Sequence, residues 1–198
     1  MTLKIFTSIE KLEMNVRSCS NCETQLPLGA KPILQISTRA KVLIAGQAPG
    51  KTTHDKGIPF DDPSGDRLRQ WLDIDRETFY NRDKIAILPM GLCYPGTGTS
   101  GDLAPRKECI PLWRQQLLSA MPNIEITLLI GQYAQHWHLN NKQGVTENVK
   151  AWRSFLPTYL PLPHPSPRNN IWLRKNPWFE EELLPYLKHD VKQIILGN

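Results

Sequence analysis

Apolar residues along the chain follow two patterns that take turns: short unbroken runs and helically spaced stripes. The runs at 41–45, 84–88 (KIAIL) and 125–130 (EITLLI) show no polar alternation, which is the signature of strands covered on both faces. Tyr159–Leu162 reads as a shorter fourth strand. Between the runs the spacing is helical. Ser8–Arg17 sets Ile9, Leu12 and Val16 on one side, behind Ser8 as an N-cap. A helix over 66–72 turns Leu68, Trp71 and Leu72 inward, and one over 105–120 turns Ile110, Trp113, Leu117 and Leu118 inward. Further helices are predicted over Gln132–Leu139, 148–155 and 177–191, the last closing the fold. Residues 25–40 and the glycine-rich 93–105 read as loops. Strands alternating with helices predict an α/β fold, a parallel sheet with helices on both faces. With no internal repeat and no linker, the prediction is one domain over 1–198.

Composition changes this picture little. Apolar residues make up 40% and charged residues 22%, as in an ordinary soluble domain. Seventeen prolines imply long ordered loops between short elements. The net charge of +5 is compatible with a polyanionic partner without requiring one. Charges spread along MTLKIFTSIEKLEMNVRS argue against a signal peptide, and no apolar run is long enough to span a bilayer, so a cytoplasmic protein with no membrane partner is expected.

The chemistry concentrates after the first strand. Val42–Ala45 runs into Gly46-Gln47-Ala48-Pro49-Gly50, and a polar loop leads to Gly57-Ile58-Pro59-Phe60-Asp61-Asp62-Pro63-Ser64-Gly65, which opens a helix. A Gly/Pro turn at the carboxyl end of a buried strand is where open α/β sheets bind ligands. Phe60 beside two carboxylates suits holding a flat ring near an acid or base. Asp62 before Pro63 is also a good N-cap with proline at N1. A P-loop or acyl-transfer enzyme is disfavoured, since 46–51 lacks G-x-x-x-x-G-K-[ST] and no G-x-S-x-G is present.

Four cysteines complete the inventory. Cys19 and Cys22 form a C-x-x-C, while Cys93 and Cys109 lie sixteen positions apart across the glycine-rich loop. In a reducing compartment they are poor candidates for disulfides. Four thiols from two segments can converge on zinc or on a [4Fe–4S] cluster, and spacing does not choose between them. The alternative is that Cys93 or Cys109 is a small buried apolar residue.

Taken in order, these features resemble the uracil-DNA glycosylase superfamily, especially its iron–sulfur branches, family 4 and family 5. C-x-x-C precedes the first strand; a G-[EQ]-A-P-G type motif follows at Gly46–Gly50; then a G-x-P-F motif at Gly57–Phe60; then Cys93 and Cys109; then an H-P-S motif at His164-Pro165-Ser166. The resemblance implies a three-layer α/β/α sandwich around a four-stranded parallel sheet. It also implies a [4Fe–4S] cluster on Cys19, Cys22, Cys93 and Cys109 in preference to zinc.

The implied reaction is hydrolysis of the N-glycosidic bond of a flipped-out uracil or other deaminated base in DNA, leaving an abasic site, by a monomeric, monofunctional enzyme. His164 matches the family's histidine, a donor to the leaving base. Phe60 matches the ring that stacks on the base, and Gln47 occupies a position filled by glutamate in family 4 and glutamine in family 1. Gln47, Ala48, Gly50, Phe60 and His164 form the implied base-binding set. Ser166, Pro167 and Arg168 match the minor-groove loop. Lys51, Arg67, Arg106, Lys107, Arg174 and Lys175 are candidates for backbone contact, whereas Trp172 and Trp178 read as packing residues.

The chain also departs from the pattern. Family 4's first-motif glutamate is Gln47 here, and family 1's aspartate is Ala48. Family 5 instead carries an aspartate in a D-A-S-G-like run, which Asp62-Pro63-Ser64-Gly65 resembles. Asp62 is therefore the expected water-positioning carboxylate and Asp61 the alternative. Pro89-Met90-Gly91 stands where family 4 has an asparagine that reads the pyrimidine edge, and Gly50 is small where family 1 has a tyrosine. Hypoxanthine and xanthine thus join uracil as candidate bases. The competing reading is a catalytically weak or inactive member that binds DNA or a nucleobase through the same pocket.

Overall fold

A computed structural model describes residues 8–99 and 101–197. The first seven residues of the stretch read as lacking a signal peptide lie outside the described residues. Four strands, β1 (Val42–Ala45), β2 (Ile85–Ile87), β5 (Ile126–Ile130) and β6 (Tyr159–Leu162), form one parallel sheet in the order β2-β1-β5-β6. Register sets Val42 against both Ile85 and Ile126, and Ile130 against Leu162. Two further short strands, β3 (Thr97–Gly98) and β4 (Gly101–Asp102), make a separate antiparallel hairpin.

The apolar runs are buried because helices cover both faces. Successive residues of β1 point opposite ways. Val42 and Ile44 join Leu68, Trp71 and Leu72 of α3 (Pro63–Leu72) and Phe179, Leu183 and Leu187 of the closing helix. Leu43 joins Ile9 and Val16 of α1 (Ser8–Arg17) and Leu117 of α5, which runs over 110–119. The α/β sandwich with a four-stranded parallel sheet is therefore present. Among the described residues no helix is long and apolar enough to cross a membrane.

Departures from the expected elements have local causes. The polar loop after Gly50 contains a helix, α2 (Lys51–Lys56), closed by Gly57 in the left-handed region at φ 73°. Its apolar content is too low to show periodicity, but Thr53 and His54 are buried. Helix α4 (Arg76–Tyr80) is capped by Asp75, which accepts from the Thr78 N–H at 2.7 Å. Helix α3, by contrast, begins at Pro63 behind the Asp62 cap, as the Asp62-Pro63 pair predicts. The 105–120 helix begins at 110 with wide π turns over Ile110–Arg114, and 105–108 is irregular. The predicted 148–155 helix is α7 (Val145–Lys150) followed by a 3₁₀ turn over Trp152–Phe155. Two others complete the set: α6 (Gln132–Leu139) and α8 (Asn170–Lys175). The closing helix, α9, spans 179–196 with π turns on both sides of Pro185, which cannot donate to a regular helical ladder. Trp172 and Trp178 pack on Phe179, as expected of packing residues.

A buried polar pair lies behind the carboxyl end of β2. Arg114 donates to the carbonyls of Leu88 (3.4 Å) and Pro89 (3.2 Å) and to His138 Nε2 (2.6 Å). Burial lowers the guanidinium to about 10. Burial and the adjacent guanidinium push His138 down to about 3, so His138 is a neutral acceptor. Its folded value lies below its unfolded one, so unfolding takes up a proton as pH drops below about 6.5. The histidine's contribution is present in full above that pH and is lost toward about 3, at up to about 1.4 kcal/mol per pH unit. His138→Gln retains an acceptor for Arg114 and removes this proton uptake. Urea unfolding of the variant between about pH 5 and 6.5 should show a pH slope shallower by up to that amount.

Candidate active site and thiol cluster

Three parallel strands deliver loops to one end of the sheet, and the loops enclose a cavity of about 110 Å³. β1 supplies Gly46, Gln47, Ala48, Pro49 and Gly50; Ile87 and Pro89 come from β2 and its exit; His164 follows β6. The remaining wall is Ile33, Thr53, Pro59, Phe60, Asp62, Ser64 and, from the hairpin, Asp102.

Phe60 is held in a costly conformation. Its φ of 55° is left-handed, which for a bulky residue marks strain of order 1–3 kcal/mol. Three contacts keep it there. Tyr80 Oη donates to the Pro59 carbonyl at 2.9 Å, Arg69 donates to the Phe60 carbonyl at 3.4 Å, and Gly65 lets α3 approach the same carbonyl. A Cβ on Gly65 would overlap the Phe60 carbonyl outright. The ring meets Phe79 edge-on at 6.3 Å and lines the cavity.

Asp62 caps α3, its Oδ1 accepting from the Gly65 N–H at 2.9 Å. Capping and cavity lining therefore coexist in one side chain. Asp61 points elsewhere. It pairs with Arg76 at 2.5 Å and Lys56 at 3.1 Å, whose hydrogen bonds hold its carboxyl below the usual carboxylate range, and it is absent from the cavity wall.

His164 sits between two prolines. Its Nδ1 accepts from the Ser166 N–H at 3.1 Å, so the neutral ring carries its proton on Nε2. Burial lowers its pKa, while Asp62 and Asp102 oppose that shift. Neutral imidazole with a free Nε2–H is thereby favoured. The loop is pinned by Arg67 of α3, which donates to the Ser166 carbonyl at 3.0 Å, and by Asn169, which donates to the His164 carbonyl at 2.7 Å. Arg168 is exposed beside the hairpin, its Nη1 3.4 Å from where a Gly101 Cβ would stand.

Gln47 does not turn its amide N–H₂ to the cavity. That group donates to the carbonyls of Leu103 (2.8 Å) and Asp102 (3.4 Å), tying the hairpin to the first turn. Ala48 and Gly50 leave their part of the wall without a carboxylate. Asp102 is the acidic wall residue that sequence reasoning missed. It lay in a stretch read only as a glycine-rich loop, and the Thr97–Asp102 pairing that aims it is a contact no motif announces.

Of the basic candidates, Lys51 pairs with Asp55 at 2.8 Å and Arg106 with Glu108 at 2.5 Å, while Lys107, Arg174 and Lys175 are exposed.

All four cysteines line a second small cavity with Leu26, Ala30, Pro32, Leu92, Arg106 and Trp113, and none is in a disulfide. Trp113 Nε1 donates to Cys19 Sγ at 3.3 Å, and Asn21 Nδ2 approaches Cys22 Sγ at 3.9 Å. Burial pushes the Cys93 thiol up to about 12, with the other three thiols adding to the shift, and burial also raises Cys109. Such thiols become thiolates when a cation compensates them, and N–H donors already face two of the sulfurs. The donor set thus fits a thiolate-bound metal group. Among the described residues, no three His, Cys, Asp or Glu side chains are gathered as ligands of a single ion.

A family model described as the uracil DNA glycosylase superfamily matches residues 34–188. A Type-4 uracil-DNA glycosylase from Sulfurisphaera tokodaii is 29% identical over 123 residues, covering 61% of this chain and 54% of the relative. The chain thus matches about half the length of that relative. A solution NMR structure from Methanosarcina acetivorans, described as a candidate uracil DNA glycosylase, is 13% identical with a TM-score of 0.45, covering 79% of this chain and 94% of that one.

The close approach at Gly65 is directly testable. Gly65→Ala forces α3 away from Phe60, and urea unfolding should show a loss of about 1–3 kcal/mol, the usual cost of overpacking.

Proposed function

We propose, from the premise that the chain belongs to the uracil DNA glycosylase superfamily, that it is a monofunctional DNA glycosylase acting on uracil or another deaminated base. The observation that carries this reading is the cavity itself, which joins a strained aromatic ring, a carboxylate and a half-buried histidine with a free N–H. A damaged base flipped out of the duplex would enter against Phe60. The C1′–N bond breaks with its electron pair leaving on the base, and the sugar passes through an oxocarbenium-like state, by analogy with glycoside hydrolysis. His164 Nε2–H donates to a carbonyl oxygen of the departing base, where negative charge develops. Water held by the Asp62 oxygen not used for capping bonds to C1′, and its proton passes to Asp62. The product is an abasic site.

Within this reading one domain, 1–198, acts as a monomer in the cytoplasm on DNA containing a damaged base. Ser166, Pro167 and Arg168 face the duplex at the mouth, where Arg168 contacts a phosphate or enters the vacated stack. Gln47 contributes by fixing the hairpin rather than by reading the base through its amide N–H₂, and Ala48 and Gly50 leave room beside the ring.

Cys19, Cys22, Cys93 and Cys109 would hold a [4Fe–4S] cluster. When bound, the cluster supplies a cross-link between segments far apart in sequence and a redox-active centre. Membership of the superfamily, whose iron–sulfur branches the chain resembles, together with four thiols lining one cavity, favours a cluster over single zinc. Anaerobically purified protein should contain iron and acid-labile sulfide in equal amounts and absorb in the visible. Cys93→Ser should lower both contents. Stoichiometric zinc without sulfide would assign the other occupant.

Base release is tested on duplex and single-stranded oligonucleotides carrying one uracil, hypoxanthine or xanthine, with alkaline cleavage of abasic sites. We expect release of at least one base. His164→Ala should slow it by about 10²–10³-fold and Asp62→Asn by about 10²–10⁴-fold. No release with DNA binding retained would instead support a catalytically silent binding member, in keeping with Gln47 and Ala48 in the first motif.

A further inference from the structure

We infer that Asp102 is a second catalytic carboxylate of the same pocket, set to face the deoxyribose and offset the positive charge that develops at C1′. This rests on the glycosylase reading and extends it to a residue on a different element.

Depth is the first argument. His164 is half-buried, whereas Asp102 is exposed, yet both line the one cavity. A base whose carbonyl meets His164 occupies the closed end, so its sugar lies outward, on the Asp102 side. The second argument is orientation. Asp102 Oδ1 accepts from Thr97 Oγ1 at 3.2 Å, and Thr97 Oγ1 lies 2.6 Å from Tyr94 Oη. A threonine hydroxyl has one proton. With that proton directed to Asp102, Tyr94 is the donor to Thr97, and the chain Tyr94–Thr97–Asp102 ends on a fixed carboxylate. Placement is the third. The amide of Gln47 clamps the backbone of 102 and 103, and Asp102 Oδ2 comes to 3.2 Å from where a Gly50 Cβ would stand. Thus the hairpin brings an acid to the turn whose own sequence has none.

The division of labour with Asp62 follows. Asp62 commits Oδ1 to the α3 cap and keeps one oxygen for water. Asp102, turned by Thr97, transfers no proton. It remains a negative charge opposite C1′ while the C1′–N bond breaks, and water then bonds to C1′ and gives its proton to Asp62. A fixed charge placed before the reaction needs no reorganisation as the cation forms.

The test is single-turnover release of the base that wild type removes, run with binding of a duplex containing a stable abasic-site analogue. Asp102→Asn keeps the shape and removes the charge. It should lower the release rate constant by about 10²-fold with abasic-duplex affinity unchanged, and Asp102→Glu should restore part of the rate. Thr97→Val should give a smaller loss, because it frees the carboxylate without removing it. Release by Asp102→Asn at the wild-type rate overturns the inference and leaves the glycosylase reading standing. So does a loss of rate matched by loss of abasic-duplex affinity or of thermal stability, which would mark a structural role. If wild type itself releases no base, the glycosylase reading fails and this inference fails with it, an outcome distinguished by the silent wild type.

Discussion

The pocket depends on a contact made without a side chain: the backbone of Gly65 against the carbonyl of Phe60. Only there does the first turn of α3 come close enough to hold Phe60 in its left-handed conformation. That single approach sets two cavity-lining groups together. It turns the Phe60 ring into the cavity, and it places Asp62 one position ahead of the helix, where its carboxylate both caps α3 and faces the same space. Arg69, reaching back from the second turn, donates to the same carbonyl. Strain is tolerated here because the helix, the Tyr80 hydroxyl and the Arg69 guanidinium over-determine the loop.

Other walls are fixed by polar contacts that reach between elements. Arg114 holds the Leu88 and Pro89 carbonyls at the exit of β2 from within the protein. Arg67 of α3 anchors the loop bearing His164, and Gln47 anchors the hairpin bearing Asp102. The loops bearing His164 and Asp102 are thus each anchored by a side chain from a different element, so the cavity is a property of the assembled sheet rather than of any one motif.

Much of this was legible in the sequence. Strands β1, β2 and β5, the flanking helices and the parallel sheet follow from apolar runs alternating with helical stripes, because burial on both faces leaves a plain record. Phe60, Asp62 and His164 could be read from motifs, since each lies within a few residues of the glycines and prolines that shape its turn. Three things could not. The short helices α2 and α4 are stabilised by caps and ion pairs rather than by an apolar stripe, so periodicity passes over them. Asp61 and Asp62 are adjacent in sequence, and pairing of Asp61 with Arg76 and Lys56 is what draws it away from the cavity that Asp62 lines. Asp102 reaches the cavity through cross-strand pairing and a long-range amide contact, and neither leaves a local trace.

The sheet order carries a consequence for how the molecule comes into being. β1, which delivers the glycine turn, is flanked by β2 and by β5, so Val42 waits for Ile126, and the loop of His164 follows β6 beyond that. Parallel pairing over such separations forms late, because the loop entropy is lost before the contacts form. During synthesis the central strand would therefore emerge long before its second neighbour, leaving an apolar edge uncovered while the intervening chain is made. The prolines and glycines that crowd the intervening loops have a second use in this light, since they are poor partners for an open strand edge.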